Sequence, residues 1–173
     1  ATAALAELAS DGPPAWADAL AAGTFTRISI ADLPSIDVDQ LNLDAIDRAV
    51  TEHARVTGGV VLMGDFPRAL GGPAASHADK PGFKQRTELY IDGLEIANMS
   101  STLTDPISLR AWHDAGLRHK AELSIYPNER DIALFEAVTR GIPPSAVIGL
   151  GVERFLQAYF SLENMSQEFY NGY

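Results

Sequence analysis

From Arg86 to Asn98 the chain reads RTELYIDGLEIAN, with apolar and polar positions alternating on both sides of an Asp-Gly pair. Such a pair between two alternating runs predicts a hairpin. A two-residue type I′ turn needs positive φ at both central positions, and Asp-Gly tolerates it. With Asp92 and Gly93 as the loop, Ile91 faces Leu94, Tyr90 faces Glu95, Leu89 faces Ile96 and Glu88 faces Ala97. Leu89, Ile91, Leu94 and Ile96 then form an apolar, core-directed face, and Glu88, Tyr90, Glu95 and Ala97 form the other. Asn98 falls in the apolar register and reaches the polar face only if the strand bends there.

The same patterns carry on along the chain. PAWADALAA predicts a short helix opened by Pro14, with Trp16 and Leu20 inward. FTRISI predicts a strand. NLDAIDRAVTEHARV places Leu43, Ile46, Val50 and His53 on one helical stripe. GGVVLMGDFP predicts a short buried strand, followed by RALGGPAASHADKPG, a loop of Gly, Pro and Ala. Asp105-Pro106 joins an N-cap to a proline at the first helical position and opens a helix over ISLRAWHDAGLRHKAEL. NERDIALFEAVTR predicts a helix ending at Gly141, IPPSAVIGLGV a strand, and ERFLQAYF a helix directly after it. The tail ENMSQEFYNGY shows neither period. The expected fold class is α/β of the α+β type, an antiparallel sheet with flanking helices. Residues 1–57 read as a small, mostly helical subdomain and residues 58–173 as the main domain.

Within SAVIGLGVERF, Ala146, Ile148, Leu150 and Val152 form one face of the strand, and Val147, Gly149 and Gly151 the other. Glycine weakens a strand interior and commonly marks the close approach of a ligand or of another backbone. Two on one face leave a flat slot for a planar ring. Arg154 follows in the first turn of a helix, where a cation opposes the helix dipole unless an anion also sits there. Packing of a glycine-relieved strand on a helix accounts for the same residues without a ligand. A dinucleotide fingerprint is excluded: Arg154 stands where its third glycine belongs, and no strand–helix–strand unit follows.

Composition narrows the class. The 173 residues are 46% hydrophobic and 21% charged, as expected of an ordinary globular chain with room for a core. No window approaches the length of apolar sequence that a membrane span needs. Cysteine is absent, which rules out disulfides and thiolate zinc sites and leads us to expect a cytoplasmic protein. The formal net charge of −10 and the lack of a basic stripe argue against a nucleic-acid partner.

Glu88 and Glu95 are diagonal neighbours across the predicted hairpin, with backbones roughly 7–8 Å apart. Converging carboxylates repel unless a cation lies between them or one is protonated. Mg²⁺ is commonly held by one or two carboxylates together with substrate phosphates. A solvated outer face explains the pair equally well from the pattern alone.

The two stretches together resemble the C-terminal half of a class II aminoacyl-tRNA synthetase catalytic domain. They are most similar to the lysyl-tRNA synthetases and the ligases that lysylate elongation factor P. GIPPSAVIGLGVERF resembles the family's motif 3, and RTELYIDGLEIANMSSTLTDP its hairpin leading to a Leu and an Asp-Pro. GGVVLMGDFP and FTRISI resemble segments before that hairpin. The resemblance implies half of a class II catalytic fold that forms an aminoacyl-adenylate from ATP. By the same resemblance, Glu88 and Glu95 hold Mg²⁺ on ATP, and Arg154 binds its phosphates and covers the adenine. Gly149 and Gly151 floor the nucleotide and amino-acid pocket, and Asn98 contacts the amino acid.

Several positions depart from that pattern. Lysine-specific members carry a Glu where this chain has Thr102, so the charge that pairs with the substrate ammonium is missing. Met99 and Val147 stand where the family has glycine. The expected substrate is therefore a smaller or less basic amino acid than lysine. Motifs 1 and 2 and an anticodon-binding domain have no counterpart among these residues. The expected partner is a second chain or segment carrying motifs 1 and 2, with a non-tRNA acceptor such as a carrier protein or small molecule. A non-catalytic, synthetase-like subunit that binds amino acid or nucleotide and regulates a partner is the competing reading.

His113 and His119 are six residues apart, the wrong spacing for metal ligation on one helix face, and read as surface residues. His77 is a lone loop histidine. Ser100-Ser101 lacks the context of a hydrolase nucleophile. Trp112, Phe135 and Phe155 are expected in the core.

Overall fold

The structure is a computed structural model that describes residues 13–33, 43–123 and 132–162. In chain order the elements are helix α1 (Ala15–Ala21), strand β1 (Thr26–Ser29), helix α2 (Leu43–Thr57), strands β2 (Val60–Pro67), β3 (Phe83–Ile91) and β4 (Leu94–Ser101), helices α3 (Pro106–Glu122) and α4 (Ile132–Arg140), strand β5 (Ala146–Leu150) and helix α5 (Val152–Tyr159). The strands form one five-stranded sheet in the order β1-β2-β3-β4-β5. The mixed α+β class is therefore as expected.

One pairing departs from an all-antiparallel sheet. β1 runs parallel to β2, with Thr26 opposite Val61 and Ser29 opposite Gly64. A parallel pair needs a long crossover, and the connection containing α2 supplies it.

The chain divides into two compact units, each drawn from several segments. The first comprises the described residues up to Asp65, then Thr87–Met99, then the residues from Ile148 onward. Its core gathers Trp16, Val60, Ile91 and Ile96, with Leu89, Leu94 and Phe155 packed against them. All four residues of the predicted apolar hairpin face are present in it. Trp16 meets the Phe155 ring edge-on at 5.8 Å, so α1 and α5 share this core. In α2 the inward pair is Val50 and Ala54, both fully buried. His53, expected on that stripe, is exposed. A four-residue step from Val50 lands on Ala54, and the neighbouring position on the wheel turns to solvent. The side chains of Leu43 and Ile46 lie outside the described residues, as does the 163–173 tail.

The hairpin turn forms as its residues demand. Asp92 has φ 48° and Gly93 φ 84°, both positive as type I′ requires. The Asp92 carboxylate also accepts the Gly59 N–H at 2.7 Å, and Gly59 O accepts the Asp92 N–H at 2.9 Å. The turn is thus tied to the start of β2.

The second unit comprises Phe66–Arg86 and Ser100–Val147. The Gly/Pro/Ala loop after β2 is more ordered than its composition suggests. Ala75 donates to Ser101 O and Gln85 to Ala75 O, each at 2.8 Å, and isolated bridges join Ala74 to Thr102 and Ser76 to Lys84. Lys84, though charged, is buried, with Nζ donating to Ala74 O at 2.7 Å. A smaller core of Leu109, Phe135 and Val138 joins α3 to α4, and Asp105 caps α3 through Ser108 N at 2.7 Å.

Two expected environments differ. His113 is not a surface residue: its ring stands edge-on to Phe135 at 5.2 Å, and buried Nδ1 has no hydrogen-bond partner in the structure. Trp112 is 44% exposed instead of buried, because the next position on the helix, not its own, meets α4.

Candidate functional site

The sequence-predicted residues of the first unit gather at the hairpin and at the strand-to-helix junction that follows β5. Glu88 is 5% exposed. Strand alternation puts Glu88 and Tyr90 on one face, and the fully buried Tyr90 hydroxyl donates to Glu88 Oε2 at 2.8 Å. Asn98 Nδ2 donates to Glu88 Oε1 at 3.1 Å. An unbroken period of two with Ile96 inward would have turned Asn98 away from Glu88. Asn98 thus reaches Glu88 from the register that strict alternation assigns to the opposite face. Glu88 is thus a buried carboxylate held from both oxygens, not a solvated outer charge.

Glu95 lies in a different setting. Its carboxylate pairs with Arg154 at 2.8 Å, and the same guanidinium nitrogen donates to Glu95 O at 3.2 Å. The side chains are 32% and 53% exposed respectively, so the pair is wet and contributes little to stability. Arg154 is held in the first turn of α5, on an arm free to exchange its partner for a stronger anion.

Gly149 and Gly151 lie beside these groups. Gly151 N donates to Ile96 O at 2.8 Å, which ties the junction to β4. A Cβ added at Gly149 would come no nearer than 4.0 Å to any atom, the Asn98 carbonyl oxygen. At Gly151 the closest approach would be 3.5 Å, to Ile96 O. Neither glycine has positive φ. Among the described residues nothing requires glycine at either position. β5 is exposed along its whole length and stands at the sheet edge. Its expected apolar face stays uncovered among the described residues, with Ile148 66% and Leu150 54% exposed.

The donor set fits Mg²⁺ in one specific way. Tyr90 donates to one Glu88 oxygen and Asn98 to the other, and both act as outer partners that orient the carboxylate. No group of three or more His, Asp or Glu able to hold a metal occurs among the described residues. An all-protein cage is therefore unsupported, whereas two carboxylates completed by phosphate and water oxygens suit Mg²⁺.

Thr102 and Val147, the remaining predicted site residues, belong to the second unit. There they line a cavity of about 210 Å³ together with Leu109, Trp112, Val138 and Ile142. The buried Thr102 hydroxyl has no hydrogen-bond partner among the described residues. Tyr90 and Trp112 were not singled out as site residues from sequence. Tyr90 was legible as a neighbour of Glu88 on the same strand face; Trp112 had no comparable signal.

Comparison with known proteins bears on this arrangement. A lysine–tRNA ligase of Thermosynechococcus vestitus is 29% identical over 130 residues, which cover 75% of this chain and 25% of that protein. One from Synechococcus sp. strain CC9311 is 32% identical over 130 residues, covering 73% and 26%. Another from Prochlorococcus marinus strain MIT 9313 is 30% identical over 143 residues, covering 82% and 27%. The chain is a class II aminoacyl-tRNA synthetase-like catalytic segment. It spans about a quarter of the length of these curated relatives, all of them ligases by name. No family model matches it. No helix among the described residues of this synthetase-like chain is long and apolar enough to cross a membrane.

Proposed function

We propose that the chain supplies the nucleotide-binding half of a class II synthetase-like ligase that activates an amino acid with ATP. The observation that carries this reading is the company kept by Gly149 and Gly151. Two glycines that none of the described residues requires lie against β4, beside a wet Arg154–Glu95 pair, on the unit that also holds the buried Glu88. A ring laid on the glycines and phosphates drawn to Arg154 explain all of these residues together.

In this reading Arg154 leaves Glu95 for the phosphates, an exchange that costs little because the pair is exposed. Glu88 and the released Glu95 would hold Mg²⁺, which when bound would supply neutralisation of phosphate charge. Tyr90 and Asn98 keep the Glu88 carboxylate in place, and Asn98 also contacts the amino acid. The reaction is in-line attack of an amino-acid carboxylate on the α-phosphorus. It forms the acyl–phosphate bond and breaks the bond to pyrophosphate. Arg154 stabilises charge on the phosphate oxygens, and no side-chain base is needed.

The rest of the active site comes from a second chain or segment carrying motifs 1 and 2. The uncovered β5 edge, with its exposed Ile148 and Leu150, is where such a partner would find unsatisfied strand groups and apolar surface. The acceptor in this reading is a carrier protein or small molecule rather than tRNA. The setting is the cytoplasm. Titration of the purified protein, with any chain that co-purifies, against ATP in the presence and absence of Mg²⁺ tests the site. Mg²⁺-dependent binding that Glu88→Gln and Arg154→Ala each weaken at least tenfold is expected. Binding unaffected by both substitutions would remove the site assignment.

A further inference from the structure

The cavity of the second unit carries information beyond the nucleotide site. Its volume of about 210 Å³ exceeds the roughly 150 Å³ that admits benzene in an engineered apolar cavity, so it accepts a side chain of about six heavy atoms. The wall is formed by Leu103, Leu109, Trp112, Val138, Ile142 and Val147, all apolar, and among the described residues no charged side chain lines it. The hydroxyl-bearing residues on it are Ser100 and Thr102, and the Thr102 Oγ1 is buried without a partner. A cavity of this kind penalises a cation, since a buried ammonium without a counter-charge loses its hydration and gains nothing in return.

We infer that this cavity is the specificity pocket for the side chain of a medium-sized apolar amino acid of the leucine, isoleucine or methionine class. The identification of the ligand as an amino acid rests on the activating function proposed above. The apolar class rests on the cavity itself. Each methylene of the ligand that enters it contributes about fourfold in affinity. A lysine side chain, similar in length but cationic, is disfavoured by about a hundredfold or more. Thr102 sets the polarity of the wall: a hydroxyl tolerates an apolar neighbour, whereas a carboxylate at the same position would supply an ammonium with its counter-charge.

Trp112 lines the cavity and reports on its filling. The protein, with any chain that co-purifies, is titrated with L-leucine, L-isoleucine, L-methionine, L-alanine and L-lysine while indole emission is followed. No ATP is added. A saturable change is expected for the first three amino acids, at least tenfold weaker for alanine and absent for lysine. It is lost in Trp112→Phe, where only the Trp16 signal remains. Val147→Phe, at a position already 58% exposed and so tolerant of a larger side chain, should keep the melting temperature and lose leucine binding at least tenfold. Thr102→Glu should exchange leucine binding for lysine binding. Lysine binding by the unaltered protein, or no response to any of the five amino acids, overturns the inference. Loss of Mg²⁺–ATP binding with leucine binding intact would instead strike at the nucleotide site and leave the pocket standing.

Discussion

Gly149→Ala adds one methyl group at a place where the described fold offers room and the proposed nucleotide offers none. The new Cβ would lie 4.0 Å from Asn98 O, an ordinary contact, and nothing else among the described residues comes within that distance. Gly149 does not have positive φ, so alanine introduces no backbone strain. The unfolded chain, in contrast, loses conformational freedom. The balance predicts a gain of about 0.4–1 kcal/mol in stability, or about 1–4 °C in melting temperature for a domain of this size. The same methyl group would stand in the slot proposed for the adenine ring. A misfit of about 1.4 kcal/mol there is a tenfold loss of affinity. Thermal melts with and without Mg²⁺–ATP read both effects in one experiment. The variant should melt at or above the unaltered protein without nucleotide, and should lose most of the shift that nucleotide produces. A drop of several degrees without nucleotide would mean the glycine serves the fold. An unchanged nucleotide-induced shift would mean that nothing lies on it.

Other substitutions test the surrounding structure. Tyr90→Phe removes a 2.8 Å donor from the buried Glu88 carboxylate and should destabilise by about 1.5–3 kcal/mol, with metal-dependent nucleotide affinity falling about 10- to 100-fold. Equilibrium urea unfolding and ATP titration check the two, and a stability change below about 0.5 kcal/mol would refute the buried-carboxylate description. Gly93→Ala places a Cβ within 2.8 Å of Arg55 Cα at φ 84°, and the strain of the left-handed conformation alone costs about 1–2 kcal/mol. A melt unchanged from the parent would contradict the turn. The Ser108 side chain and backbone N–H hold the Asp105 carboxyl below its ordinary 3.8. Its capping contribution is therefore full above about pH 3.8 and is lost as pH falls through the lowered value. The stability difference between the parent and Asp105→Ala should shrink in acid, and a difference independent of pH would refute the cap.

Much of the hairpin was legible because its chemistry is local. Alternation assigns each side chain a face and Asp-Gly assigns the turn, so the Leu89–Ile91–Leu94–Ile96 face and the two positive φ values followed from spacing. The α3 start was legible for a similar reason, since the Asp105 cap and Pro106 act within one turn. The parallel β1–β2 pair was not, because register between strands separated by a helix depends on contacts that a single sequence does not display. The glycines were legible as an oddity, yet only the structure shows that they relieve no crowding. Likewise the sequence marked Thr102 as a lost charge. Its orphaned hydroxyl and apolar surroundings depend on how the loop from Pro73 and the helices α3 and α4 converge. His113 and Trp112 were misplaced between core and surface because they are adjacent on a helix whose pattern carries little bias toward either face.

The central claim is that this chain takes part in amino-acid activation, and ATP–pyrophosphate exchange measures that step itself. The assay is run on the chain with and without a co-purifying or added partner bearing motifs 1 and 2, across a panel of amino acids. The account predicts exchange that needs the partner, Mg²⁺ and an apolar amino acid, and that Arg154→Ala abolishes. No exchange with any amino acid in the complete assembly would contradict it and would favour a synthetase-like subunit that binds its ligands without chemistry.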